Sequence, residues 1–123
     1  ESLVEVACDF MVEPGREAAL RLLARAEPDA IFCANDLLAV GALAALREVG
    51  RSVPRDVALV GMDDTPLSGW TSPPLTTVDL GSAERARVAA DLLLARIDDP
   101  AREPQVVGVE PRLVVRESCG AAA

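Results

Sequence analysis

Three short apolar stretches of this sequence are each followed by side chains that can form hydrogen bonds with a ligand or stack on it. The groups that follow them are Asp9 and Phe10, then Asn35 and Asp36, and finally Asp63, Asp64 and Thr65. Carboxylates and amides can form paired hydrogen bonds with adjacent hydroxyl groups, and a flat aromatic ring can cover the apolar face of a sugar or base. These residue types therefore fit a small, neutral ligand that is rich in hydroxyl groups.

The apolar stretches alternate with helical patterns, and this alternation predicts how the polar groups come together. Residues 3–8, 30–33 and 57–61 predict strands, and the spacing of alanine and leucine after Pro14 and after Asn35 predicts helices between them. A β-α-β-α-β order is typical of the α/β class, with a parallel sheet and helices on both faces. Such sheets bind ligands beyond the carboxyl ends of their strands, which are the positions that the polar groups occupy.

The second half of the sequence predicts fewer regular elements, because prolines and small polar residues interrupt it. Residues 76–79 have the composition of an extended segment, and Ser82 is expected to cap a long helix that ends near Ile97. Residues 105–109 and 112–117 predict two further strands.

Each candidate ligand residue also has a structural interpretation, and the residue pattern alone leaves both open. Asn35 is a favourable N-cap for the following helix, and Asp36 suits the first turn of that helix. Asp63 and Asp64 are common turn formers at the end of a strand. Phe10 is one of only three aromatic residues in the chain and could belong to the core. The coincidence of these groups at three strand ends is what favours a binding site.

The composition excludes several classes of function. The 123 residues suffice for one domain, and a net charge of −8 gives it a surface that repels the phosphates of nucleic acids. All 12 basic residues are arginine, so the chain has no lysine or histidine to serve as a Schiff-base group, a general base or an imidazole metal ligand. A metal-dependent enzyme that uses Asp36, Asp63 and Asp64 is the alternative from another class. We expect no enzyme activity and no cofactor.

The cysteines and the hydropathy pattern indicate the cellular compartment in which the protein is expected. Cys8, Cys33 and Cys119 are far apart in the chain and form no C-x-x-C pair, which is typical of reduced thiols in a cytoplasmic protein. No apolar run approaches the roughly 18 residues that span a bilayer. The chain starts at Glu1 rather than methionine, so we expect it to be part of a longer protein.

Four motifs, in order and spread over nearly the whole chain, carry a resemblance to a known family. They are AIFCANDLLAVGAL at residues 30–43, VPRDVALVGMDD at residues 53–64, PPLTTV at residues 73–78 and RLVVRES at residues 112–118. With these motifs the sequence resembles the LacI/GalR (lactose-repressor) family of bacterial transcription regulators.

The resemblance implies that the chain is the C-terminal part of an effector-binding core shaped like a type I periplasmic binding protein. Residues 1–75 and 105–118 would form the C-terminal lobe, and residues 76–100 would cross to an N-terminal lobe. That lobe, the hinge and the DNA-reading headpiece would lie outside this sequence. A sugar-like effector would bind between the lobes of a homodimer and control operator affinity, through a coupling of about 1–3 kcal/mol. The alternative with the same fold is a solute-binding protein of a sugar transport system.

The resemblance also assigns roles to particular residues. Asp63 would be the cleft carboxylate that accepts hydrogen bonds from the effector, Asn35 would contact the effector from its helix start, and Phe10 would stack on it. Some family members place an aromatic residue where this sequence has Gly81 and Ser82, so the identity of the effector does not transfer. Three further residues are possible ligand contacts: Asp36, Asp64 and Ser82.

A dimer surface is implied as well. It would include Val40 and Ala44 on the second helix, together with Leu67 and Trp70 in the loop that follows the third strand. From its setting alone, Trp70 is either an interface anchor or a plug for its own loop. The helix after Ser82 has an alanine- and leucine-rich face that would meet water. We expect it to fold back on the chain or to pack against a second copy.

Overall fold

The computed structural model describes residues 3–121. The elements, in chain order, are α1 (Val12–Arg25), β1 (Ala30–Phe32), α2 (Asp36–Glu48), β2 (Ala58–Met62), β3 (Thr76–Asp79), α3 (Ser82–Asp98) and β4 (Arg112–Val114). Two 3₁₀ helices follow β2 and β4, at Pro66–Gly69 and Glu117–Cys119. The prediction of an α/β fold with a parallel sheet is confirmed.

The four strands form one sheet in the order β1-β2-β3-β4. The first three strands are parallel, with Phe32 beside Val60 and Met62 beside Val78, and β4 runs antiparallel to β3, with Leu113 beside Val78. The carboxyl ends of β1, β2 and β3 therefore lie along the same edge of the sheet. The polar residues that follow β1 and β2 meet at this edge, as the sequence predicts.

Helices α1 and α2 cover one face of the sheet, and two glycines allow their backbones to approach closely. A Cβ atom at Gly41 would lie 2.1 Å from the carbonyl oxygen of Val12, and one at Gly15 would lie 2.6 Å from that of Leu38. No larger residue fits at either position without moving a helix. The core between the helices and the sheet is aliphatic, and its most buried members are Ala39, Ala42, Leu43, Ala45, Leu46, Val57, Leu59 and Leu75.

The opposite face of the sheet is open over much of its area in the described residues. Strand β1 shows the contrast, because Ile31 is 9% exposed beneath the helices whereas Phe32 beside it is 60% exposed. Leu113 and Val115 are also exposed on the open side. Helices on both faces were expected, but within residues 3–121 both packed helices lie on the same face.

Two predicted strands are missing from the sheet in the part of the chain that the structure describes. Residues 3–8 and 105–109 have strand-like sequences but pair with no strand. A strand needs a neighbour to satisfy its backbone groups, and sequence periodicity does not reveal whether one is present. Residues 3–8 are tied to α1 instead, where Glu5 forms ion pairs of 2.8 Å with Arg21 and 3.0 Å with Arg25.

Two element boundaries differ from the prediction for identifiable reasons. Gly81, rather than Ser82, is the N-cap of α3, with φ of 65°, which favours glycine, and its N–H bonds to Oδ1 of Asp79 at 2.8 Å. Strand β4 ends at Val114 rather than at residue 117. The N–H of Arg116 bonds to a threonine side chain instead of a strand backbone, which ends the ladder.

Helix α3 has no buried residue among those described. Its apolar side chains Leu93, Leu94 and Ile97 are all largely exposed. The expectation that this helix folds back on the chain is therefore wrong for this structure, since folding back would bury that face. Packing against a second copy stays a prediction, as does the division into lobes, although the first four residues of the expected 76–100 crossover form β3 of the sheet.

Candidate ligand-binding site

Asp36 is a buried carboxylate that joins α2 to β3 and to the turn after β2. It is 1% exposed. Its Oδ2 accepts hydrogen bonds from the backbone N–H of Thr65 at 2.7 Å and from the Thr65 hydroxyl at 3.0 Å, and its Oδ1 accepts one from the Thr77 hydroxyl at 2.6 Å. Gly61 makes room for this approach, because a Cβ there would lie 2.6 Å from Oδ1 of Asp36. The chain itself occupies this carboxylate, so the possible role of Asp36 as a ligand contact does not fit its geometry.

Asn35 caps α2 and ties the preceding loop to the helix. Its Oδ1 accepts a hydrogen bond from the Leu38 N–H at 2.8 Å, which confirms the predicted N-cap. Its Nδ2 donates to the carbonyl oxygen of Phe10 at 3.0 Å, and its second Nδ2 hydrogen has no acceptor in the described chain. The Phe10 residue is 63% exposed, so it does not belong to the core. An amide hydrogen and an aromatic residue are thereby held beside each other at the strand edge.

The turn after β2 has a backbone that residues other than glycine rarely adopt. Asp63 has φ of 107° and Asp64 has φ of 50°. Two hydrogen bonds to β3 hold this turn: the Asp63 N–H donates to the Val78 carbonyl at 2.9 Å, and the Asp64 N–H donates to the Thr77 hydroxyl at 3.3 Å. Conformations of this kind cost about 1–3 kcal/mol each and occur preferentially at functional sites.

The Asp64 carboxylate is bonded by the chain as well. Its Oδ1 accepts hydrogen bonds from Nη2 of Arg116 at 2.7 Å and from the Ser68 hydroxyl at 3.2 Å. The same guanidinium donates through Nη1 to the carbonyl oxygen of Leu75 at 2.8 Å. Asp64 therefore anchors the turn to the end of β4, and its possible role as a ligand contact does not fit this arrangement either.

Asp63 differs from both of these aspartates. Its carboxylate is partly buried and accepts no hydrogen bond from residues 3–121. Burial raises the pKa of Asp63 above its ordinary value, and repulsion from the nearby Asp36 carboxylate raises it further. A carboxylate in this position is a strong acceptor for hydroxyl or amino groups of a ligand.

The structure joins most, but not all, of the predicted ligand residues. Phe10 and Asn35 are hydrogen-bonded to each other, and Asp36 links the helix that Asn35 caps to the turn that carries Asp63. Ser82 stands apart: its side chain is exposed at the start of α3 and bonds to none of these residues in the described chain.

The candidate site forms part of an open surface. Two depressions of the surface, of about 330 and 220 Å³, lie elsewhere: the larger is between the C-terminal ends of α1 and α2, near Leu20 and Val49, and the smaller is beside α3, near Leu93 and Arg102. Neither is lined by a predicted ligand residue. The predicted ligand residues therefore lie on a part of the surface outside both depressions.

Four candidate dimer residues lie on two elements, α2 and the first 3₁₀ helix with its flank: Val40, Ala44, Leu67 and Trp70. Trp70 is 84% exposed, so it does not plug its own loop. The Nη2 group of Arg47 on α2 donates to the carbonyl oxygen of Ser72, which connects the two elements. The structure thus presents an exposed aromatic side chain on a loop that is fixed to the helix.

Two residues of this site were not identified from the sequence. Thr77 bonds to Asp36 from β3, and Arg116 bonds to Asp64 from the segment after β4. A signal for both was present, because each is a polar residue inside a predicted strand or extended segment. A buried hydroxyl or guanidinium there requires a hydrogen-bonding partner.

The described residues offer no cluster of side chains suited to binding a metal ion. No three histidine, cysteine, aspartate or glutamate side chains among residues 3–121 are placed to hold a metal ion. The alternative of a metal-dependent enzyme needs Asp36, Asp63 and Asp64 as joint ligands, whereas two of them are bonded to threonine, serine and arginine. The three cysteines are free, and no helix of the described chain has the length and apolar character needed to cross a membrane.

Comparison with known proteins identifies the family. Residues 3–119 match the model of the periplasmic binding protein-like domain. The chain is 38% identical over 110 residues to the HTH-type transcriptional repressor PurR of Pasteurella multocida, a match that covers 89% of this chain and 33% of that protein. The chain therefore spans about a third of the length of this curated relative.

Solved structures agree with this assignment. A LacI-family transcriptional regulator from Sanguibacter keddieii is 45% identical with a TM-score of 0.88, over 94% of this chain and 43% of that one. The transcriptional regulator CelR in complex with cellobiose is 42% identical with a TM-score of 0.86, over 89% of this chain and 34% of that one. The chain therefore belongs to the LacI/GalR family of transcription regulators, as part of its periplasmic binding protein-like, effector-binding core.

Proposed function

We propose that this chain senses a small hydroxylated effector through Asp63 and passes the binding signal to a dimeric, DNA-binding regulator. The observation that carries the proposal is the carboxylate of Asp63, which is partly buried and has no donor among the described residues. Its acidic neighbours Asp36 and Asp64 are both bonded by the chain. Such a carboxylate lowers the stability of the fold, and a ligand that donates hydrogen bonds removes that cost.

A sugar-like effector fits Asp63 together with Asn35 and Phe10. The carboxylate accepts hydrogen bonds from neighbouring hydroxyls, the second Nδ2 hydrogen of Asn35 is a donor to a hydroxyl oxygen, and the exposed ring of Phe10 covers an apolar sugar face. Each hydrogen bond to the charged carboxylate contributes about 1.5–3 kcal/mol. The cellobiose bound to the related regulator CelR belongs to this chemical class.

Calorimetric titration of the full-length regulator with cellobiose, lactose and ribose, the sugars bound in related regulators, tests the site. We expect a sugar that binds the wild-type regulator to bind Asp63→Asn at least about tenfold more weakly, because a neutral amide replaces the charged acceptor. Asp91→Asn, on the exposed surface of α3, is the matched control and should leave the Kd unchanged. Equal affinity of wild type and Asp63→Asn would show that Asp63 is not the ligand carboxylate.

The regulatory part of the proposal is tested in the full-length regulator. Asp63→Ala should leave operator binding intact and abolish the response of the DNA complex to effector. A variant that still responds to effector at wild-type concentrations contradicts the assignment. This experiment also separates the regulator from the solute-binding protein of a transport system, which has no operator to bind.

In this proposal the chain supplies one wall of the effector cleft. Residues 1–75 and 105–118 form the C-terminal lobe, and residues 76–100 lead to an N-terminal lobe that supplies the other wall and covers the apolar face of α3. The exposed face of α3 and the open site both support this division. The DNA-reading headpiece lies outside this sequence, and we propose that the protein is cytoplasmic, where its three cysteines stay reduced.

The dimer is proposed to form through the surface that carries Trp70. A largely exposed tryptophan on a fixed loop is a typical hot spot, whose truncation costs about 2 kcal/mol or more of binding free energy. Sedimentation velocity should show a concentration-dependent dimer of the wild type that is weakened at least about tenfold in Trp70→Ala. Val106→Ala, at a fully exposed apolar residue of a different segment, is the control. Unchanged dimerisation of Trp70→Ala would show that the dimer interface lies elsewhere.

A further inference from the structure

The guanidinium of Arg116 connects three segments of the chain, and about a quarter of the side chain is exposed. Nη2 donates to Oδ1 of Asp64 at 2.7 Å, and Nη1 donates to the Ser68 hydroxyl at 3.0 Å and to the Leu75 carbonyl at 2.8 Å. The backbone of Arg116 is fixed too, because its N–H donates to the Thr76 hydroxyl oxygen at 2.8 Å. A single side chain therefore holds the turn after β2, the first 3₁₀ helix and the start of β3.

Two of these segments carry the two candidate functions. Asp64 follows the candidate ligand carboxylate Asp63 in the turn with positive φ angles. Ser68 lies in the 3₁₀ helix that ends immediately before Trp70, the candidate dimer contact. The Ser68 hydroxyl shares its one hydrogen between the carbonyl oxygen of Thr65 at 2.7 Å and Oδ1 of Asp64 at 3.2 Å, so the turn and the helix are also bonded directly.

We propose that Arg116 couples the effector site to the dimer surface by holding the 63–64 turn and the Pro66–Gly69 helix as one rigid unit. The proposal rests on the proposed roles of Asp63 and Trp70. A ligand that displaces Asp63 then displaces Trp70 with it. Because such coupling is reciprocal, the factor by which the ligand changes the dimer affinity equals the factor by which dimerisation changes the ligand affinity. Arg116 is a positioning residue, because it acts through Asp64 and Ser68.

Native-state amide hydrogen exchange tests whether the two segments move together. Arg116→Lys keeps the positive charge but loses the forked donor geometry, and Asp64→Asn removes the negative charge while tolerating a positive φ. In either variant we expect the N–H groups of Asp63, Ser68 and Trp70, all bonded in the wild type, to exchange about tenfold faster. Amides within α1 and α2 should change by less than about twofold.

The control and the double variant make the test decisive. Arg112→Lys weakens an exposed ion pair with Asp79 and should leave all of these rates unchanged. In the variant Arg116→Lys/Asp64→Asn the two effects on exchange should be less than additive, since both changes break the Arg116–Asp64 contact.

Three outcomes would overturn the proposal. Equal acceleration of the α1 and α2 amides would mean that Arg116 contributes only to global stability. Faster exchange at Ser68 and Trp70 with an unchanged rate at Asp63 would mean that the segments move independently. Additive effects in the double variant would mean that Arg116 and Asp64 act separately. None of these measurements needs a ligand, so equal sugar affinity of wild type and Asp63→Asn would refute the proposed role of Asp63 without deciding the role of Arg116.

Discussion

Replacement of Asp36 by alanine tests whether its buried carboxylate holds the end of β2 in place. The change leaves three donors without their acceptor: the N–H and hydroxyl of Thr65 and the hydroxyl of Thr77. An unsatisfied buried donor costs about 1–3 kcal/mol. The two hydroxyl groups can rotate toward other acceptors, whereas the backbone N–H of Thr65 cannot. Hydrogen bonds to a charged group contribute about 1.5–3 kcal/mol each, and the two hydroxyls regain part of theirs. We therefore expect Asp36→Ala to lower the free energy of unfolding by about 3–5 kcal/mol, a large part of the total for a domain of this size.

Asp36→Asn separates the charge of this side chain from its shape. The amide oxygen can accept both bonds from Thr65, and the amide nitrogen can donate to the hydroxyl oxygen of Thr77. Both bonds from Thr65 then survive, while the charge is lost and the Thr77 hydroxyl hydrogen loses its acceptor, so we expect a cost of only about 1–2 kcal/mol. Loss of the charge also removes its repulsion of Asp63, which should lower the pKa of the Asp63 carboxyl relative to wild type.

Urea unfolding followed by far-ultraviolet circular dichroism measures these differences. Asp91→Ala on the exposed surface of α3 is the control, and it should change the free energy of unfolding by less than about 0.5 kcal/mol. A cost of Asp36→Ala no larger than that of the control would show that the three hydrogen bonds do not hold the turn. An equal cost for Asp36→Ala and Asp36→Asn would show that charge, and not hydrogen-bond geometry, sets the stability at this position.

Three further predictions concern stability. Asp63→Asn should stabilise the fold at pH 7, because the raised pKa of Asp63 means that folding disfavours its charged form. This cost of the charge is present above the folded-state pKa and disappears as the pH falls below the ordinary pKa of 3.8. Urea unfolding should therefore show a gain in stability at pH 7 and none at pH 3. Gly41→Ala should lower the stability by about 3 kcal/mol in thermal denaturation, since its new Cβ meets a carbonyl oxygen of α1. Gly69→Ala is the control and should be nearly neutral, because no atom lies within 4 Å of its new Cβ. Equal melting temperatures of the two variants would contradict the close crossing of α1 and α2. Ile31→Ala should lower the free energy of unfolding in urea by about 2–5 kcal/mol, because Ile31 is buried, whereas Phe32→Ala should lower it by less than about 1 kcal/mol. The reverse order would mean that the open face of the sheet is covered in solution.

Local sequence signals were sufficient for the centre of the fold. Asn35 before an apolar, helix-periodic run predicts α2 and its cap, and both are present with the expected Asn35–Leu38 hydrogen bond. The apolar residues before Asp63 predict β2, which differs from the predicted range by one residue at each end. These signals succeed because caps and buried strands depend mainly on residues that are close in sequence.

The features that the sequence did not predict depend on partners that are distant in sequence. Residues 3–8 have a strand-like pattern, but a strand forms only where a neighbour accepts its hydrogen bonds. The role of Asp36 depends on Thr77, 41 residues away, and that of Asp64 on Arg116, 52 residues away. No pattern within a window of ordinary length distinguishes an aspartate that meets such a partner from one that does not.

The three aspartates of this edge show how identical side chains acquire opposite roles. Asp36 and Asp64 accept hydrogen bonds from the chain, and these bonds stabilise the fold, whereas Asp63 is partly buried and is repelled by Asp36, so its charge destabilises the fold. Both neighbours nevertheless fix the backbone around Asp63, which means that a ligand meets a carboxylate already held in place. Stability and binding should therefore fall together in variants of Asp36 and Asp64, but change in opposite directions in variants of Asp63. That opposition distinguishes a carboxylate kept for a ligand from one kept for the fold.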